Sequence, residues 1–135
     1  MTLEERAASW TDREPTLDEE LRALGEEAVF EMTNLKERHT GIPGVIFIST
    51  AMGPHGPRVK YYLRAGGDQP SFSVAVGPDP RVLASSLDDR DVARMAPSVI
   101  AWVRLNHAAL GRFWTDGKAW DVDEFNAFIA GLQKV

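Results

Sequence analysis

Cysteine is absent from this chain of 135 residues. That excludes a disulfide framework, a thiolate nucleophile and any cysteine-held metal. Long apolar runs are missing too. The longest, "GVIFIS", has the length of a strand, well short of the ~20 residues a membrane-crossing helix needs. The opening "MTLEERAASW" holds two glutamates, one arginine and no apolar stretch, so no secretory signal is expected there. Histidine is scarce: His39, His55 and His107 stand apart, at no metal-ligand spacing. Neither a P-loop, a G-x-G-x-x-G turn nor a G-x-S-x-G elbow is present. "AMGPHGP" contains G-x-x-G, but its prolines stand where a phosphate cradle needs N–H donors. No cofactor, no metal and no membrane contact are therefore expected, and the expected location is cytoplasmic.

What is present suits one folded domain: 44% of the residues are hydrophobic and 26% are charged. The net charge of −5 is unevenly spread. Residues 1–33 carry −7, residues 34–65 carry +4 and residues 66–135 carry −2. An acidic arm thus precedes a basic segment. The pattern divides the chain into an acidic N-terminal helical arm, 1–33, and a single α+β domain, 34–135.

"TLEE" at Thr2–Glu5 and "TLDE" at Thr16–Glu19 are capping boxes. After the second, Leu17, Leu21, Leu24 and Ala28 form a helical stripe, which predicts a helix over 17–32. "TNLKERHTGIPG" reads as its exit, with room for one more turn before Gly41 and Pro43. Three strands are then expected, "GVIFIST", "RVKYYLRA" and "SFSVAV", joined by short Gly- and Pro-rich turns into an antiparallel meander. The prolines of "GPDPRVLA" leave room for at most a brief edge segment. A long helix follows, with Ser86 as its expected N-cap and a stripe from Val92 to Phe113. Pro97 is expected to kink or divide it near Ala96. A short last helix starts at Asp121 or Asp123. Strands and helices are segregated, as in α+β folds.

"NLKERHTGIPGVIFI", "GPRVKYY", "VAVGPDPRV" and "VIAWVRLNHAALGRFWTDG" together resemble a group of short, uncharacterised bacterial hypothetical proteins. The resemblance spans residues 34–133. It implies an α+β domain and carries over no activity and no catalytic residue. The loop before the second strand, the turn around Pro97 and the acidic segment 1–33 are particular to this chain.

The second strand supplies the first candidate site. Arg58, Lys60, Tyr62 and Arg64 share one face, opposite Val59, Tyr61 and Leu63. The plainer reading is a wet sheet face whose cations discourage edge pairing. A second reading lays the acidic arm across it, in the same chain or in a second copy. A third makes it a platform for single-stranded nucleic acid, with phosphates on the cations and a base on Tyr62. The second candidate is His55, a loop residue that needs a partner such as Asp79 to act as a base. The third is an aromatic pocket built from Trp102, Asn106 and Trp114. Its plainer alternative has Asn106 tie the helix to a backbone group. Asp116, Asp121, Asp123 and Glu124 space carboxylates in the manner of a calcium loop, but depart from its order and glycine position.

Together these features name no reaction. They point to a small binding domain, with a protein partner or self-association as a homodimer as the first expectation. A nucleic-acid module using residues 58–64, and a small enzyme or ligand-binding protein, are the alternatives.

Overall fold

The computed structural model describes residues 32–51, 54–66 and 68–135. Most of the acidic arm, including all but the last residue of the helix expected over 17–32, lies outside the described residues.

Among the described residues, five strands form one antiparallel sheet in chain order: β1 (Met32–Leu35), β2 (Val45–Ser49), β3 (Arg58–Tyr62), β4 (Ser71–Ala75) and β5 (Val82–Ser85). This corrects the expected three-strand meander at both edges. Met32, the expected end of a helix, instead opens a strand, and β1 pairs with β2 from Met32 opposite Ser49 to Leu35 opposite Ile46. The pairing tucks Leu35 into the core at 1% exposure. Burial of that side chain decides the conformation of a segment whose local signals read as a helix exit. At the other edge, Pro78 and Pro80 lie in the connection, so "VLAS" itself has every N–H it needs to pair. A bulge between Ser73 and Val74 accommodates the residue that remains.

Between β1 and β2, the chain makes a single turn of helix, α1 (Glu37–Thr40). Gly41 ends it at φ 81°, the left-handed position that glycine takes without strain. Thr40 then closes an ST-turn, its Oγ1 accepting from Ile42 N at 3.0 Å.

The long helix α2 (Asp89–Asp116) is continuous, with Pro97 inside it rather than dividing it. Pro97 sits on the exposed side, where water satisfies the carbonyl that loses its intrahelical donor. Ser86 is not its cap. Asp88 is the N-cap, and Ser86 instead closes the β4–β5 ladder, its backbone N–H donating to Ser71 O at 2.8 Å. A 3₁₀ turn (Gly117–Ala119) leads to α3 (Val122–Gly131). There Asp121 and Glu124 form a reciprocal capping box, with Glu124 N donating to Asp121 Oδ1 at 2.8 Å.

One face of the sheet and one face of α2 make the core. Ile46, Ile48, Val59, Tyr61, Phe72 and Val74 meet Val99, Trp102, Val103, Leu110 and Phe113. Phe128 brings α3 onto this layer, stacked on Phe113 at 4.9 Å. The Tyr61 hydroxyl donates to Pro43 O, and burial pushes its phenol above the ordinary value. Among the described residues, no helix is long and apolar enough to cross a membrane.

Candidate functional site: the outer face of the sheet

Strand alternation sends the remaining side chains to the other face of the sheet. The register builds rows there: Val45 lies beside Tyr62 and Ser71, while Asn34, Phe47, Lys60, Ser73 and Ala84 form the next row. Arg58 follows, opposite Ala75. This outer face is less wet than simple alternation predicts. Val45 is 8% exposed and Ser73 is 6% exposed. Phe47, Arg58 and Tyr62 are half-buried, and Lys60 is exposed. Val45 belongs to no part of the core cluster, and Phe47 does not pack against it. The face therefore has an apolar centre of its own, with two cations around it.

Arg58 reaches the end of the sheet. Its Nε is buried and has no hydrogen-bond partner among the described residues. It borders a shallow crevice, open to solvent, with Ser49, Pro57, Val76, Phe113 and Trp114. The crevice holds about 10 Å³, room for roughly one water molecule, which is too small for a substrate site. Arg64 lies past the end of β3 and is exposed in the following turn. Arg58, Lys60 and Tyr62 are thus brought together with Phe47 and Val45, while Arg64 stands outside the paired strand.

His55 is exposed in the β2–β3 loop, without a hydrogen-bond partner among the described residues. The bond from Val76 N to Pro57 O, at 3.0 Å, brings the exit of β4 to that loop. Trp102 is fully buried, and its indole N–H has no partner among the described residues. Asn106 is 4% exposed and is engaged with backbone. Its Nδ2 donates to Trp102 O and to Gln133 O, each at 2.9 Å, and its Oδ1 accepts from Gln133 N at 2.8 Å. Trp114 lies two turns further along α2, about 12 Å on, and lines the crevice. Trp102 and Asn106 are adjacent, and Trp114 is not joined to them. Among the described residues, no three His, Asp or Glu side chains gather as a metal site.

No family model matches the chain, and no curated protein or solved structure matches it either.

Two groups of residues are not among the candidates that the sequence offers. Val45 and Phe47 were legible in principle, because β2 is apolar at alternate positions on both of its faces. The other group is the set of arginines along α2, which only a wheel drawn for the polar side of that helix reveals.

Proposed function

We propose that this chain is a protein-docking module, and that the outer sheet face holds an acidic, amphipathic helix of a partner protein. The observation that carries this reading is the separate apolar centre. Val45 and Phe47, flanked by Tyr62, lie on the side of the sheet away from α2. A face meant only for water has no need of two apolar side chains at adjacent outward positions of a central strand. Lys60 and Arg58 border that centre and favour a partner bearing carboxylates.

The test is site-specific photo-crosslinking in living cells. One crosslinker replaces Ser71, at the border of the outer face, and a control replaces Ala101 on the exposed side of α2. The reading expects a discrete protein adduct from the first position only, with the crosslinked peptide an acidic amphipathic segment. The adduct is expected to vanish in Phe47→Ser and in Lys60→Glu. Crosslinks confined to the chain itself would refute docking of a partner. A nuclease-sensitive adduct would move the face to single-stranded nucleic acid.

A further inference from the structure

The exposed side of α2 carries a second basic surface. At ~100° per residue, Arg90, Arg94, Arg104 and Arg112 fall within a sector of about 80°. They span about 33 Å along the axis at 1.5 Å per residue. All four are exposed. The sector points away from the sheet, because Val99, Trp102, Val103 and Leu110 occupy the opposite side of the helix. Within it, the positions between the arginines are small: Pro97, Ala101 and Ala108. Leu105 stands on its flank, 46% exposed. Asp91 also lies on the flank and is paired with Arg94 at 3.0 Å. Arg90, Arg104 and Arg112 have no ion-pair partner among the described residues.

We propose that this row binds the phosphate backbone of a nucleic-acid duplex. Three features select that partner. The cations are all arginine, whose planar fork matches phosphate oxygens. The row lies on one unbroken helix, and its length is close to one turn of duplex, about 34–36 Å. The small side chains between the arginines let a rod of that width approach, whereas a flexible acidic peptide would have to be ordered along the whole row. The negative charge of the whole chain does not stand against this. Residues 34–135 carry a net +2, and the excess acid is confined to 1–33. The contacts involve phosphates only, so binding is indifferent to sequence.

The row lies on the opposite layer from the outer sheet face, so the two readings fail separately. The experiment is a fluorescence-anisotropy titration of the full chain with a labelled, mixed-sequence duplex of about two helical turns, repeated over a range of salt. Four phosphate contacts predict that log K falls with log salt at a slope of about −3.6. Arg104→Gln and Arg112→Gln are each expected to reduce the steepness by about 0.9. Arg104→Lys keeps the charge and the slope, and Lys60→Gln on the sheet leaves it unchanged. All of these positions are exposed, and the circular dichroism of each variant checks the fold. Absence of duplex binding at low salt would overturn the proposal. So would a slope that the arginine variants leave unmoved, or that Lys60→Gln lowers equally. Binding of poly-glutamate through these arginines, without duplex binding, would assign the row to an acidic protein instead.

Discussion

Asn106→Ala is expected to release the C-terminal tail before it unfolds the domain. The side chain makes two bonds to Gln133, one from each end of its amide, and one to Trp102 O. The bond to Trp102 O adds to a carbonyl that the helix already uses, so the Gln133 pair is what the substitution removes. A net hydrogen bond contributes ~0.5–1.5 kcal/mol, which puts the pair at about 1–3 kcal/mol. Gln133 is exposed, so water replaces part of the loss and the lower half of that range applies. The tail is held by two more features: Leu132, 9% exposed, and the bond from Val135 N to Thr40 O at 3.0 Å. Losing the clip therefore weakens a local unit that joins α2, α1 and the tail. Hydrogen exchange should show it first, with Gln133 and Val135 amides exchanging about tenfold faster for each 1.4 kcal/mol lost. The urea midpoint should fall too, by less than full release of Leu132 would imply. Asn106→Asp is expected to be worse than Asn106→Ala, because a buried carboxylate faces Gln133 O with no proton to donate. Unchanged exchange at Val135 together with an unchanged urea midpoint in Asn106→Ala would refute the assignment of Asn106 as the clip.

Other positions give equally direct tests. Gly44 sits at φ 107°, and a Cβ there would lie 2.6 Å from Tyr62 O. Gly44→Ala should lower stability by about 1–3 kcal/mol through backbone strain alone, read from a thermal melt. Pro97→Ala should stabilise the protein by up to about 3 kcal/mol, since it restores an N–H inside an unbroken helix; a loss of stability in a thermal melt would refute this. His39 Nδ1 accepts from Lys36 N at 3.1 Å. Burial, followed by the charges of Arg38, Lys134 and Lys36, holds its pKa below the ordinary 6.5. The folded state then binds fewer protons than the unfolded state, so the His39 contribution is complete above pH 6.5 and is lost as pH falls through the lower folded value. Urea midpoints followed downward from neutral pH should show this loss in the native chain and a smaller one in His39→Gln. On the outer sheet face, Phe47→Ala should weaken partner docking more than Lys60→Gln, measured as affinity at moderate salt.

The alternation of "RVKYY" and "SFSVA" was enough to place β3 and β4 and to divide their faces correctly, because a period of two is a local property. The stripe from Val92 to Phe113 likewise located α2. The edges were not legible for a non-local reason. "MTNL" has no strand signal of its own, and its conformation follows from Leu35 reaching Ile46 across the sheet. Ser86 looked like a cap because serine before an acidic first turn is a good local solution. The β4–β5 ladder claimed that hydroxyl instead, with Ser71 N donating to it at 3.0 Å. Of the candidate side chains, Arg58, Lys60 and Tyr62 are placed on one face by alternation alone. Their apolar neighbours Val45 and Phe47 lie on a different strand, and only the register places them alongside.

The composition of the outer face determines what kind of docking it can support. Lys60 is exposed, and an ion pair made there with a partner is worth only ~0–1 kcal/mol. Arg58 is half-buried, so an ion pair made there is screened less and is worth more. Phe47 and Tyr62 still have surface to bury, and full burial of a large apolar side chain gives ~1.5–3 kcal/mol. Affinity must then come from the apolar centre, and the cations select among apolar partners and raise the rate of encounter. A phosphate-binding surface divides the work differently, with charge supplying the affinity and salt removing it. The row on α2 has that character, four arginines around small side chains, and the sheet face does not. On the two proposals the basic surfaces take different partners, and salt dependence is the property that tells them apart.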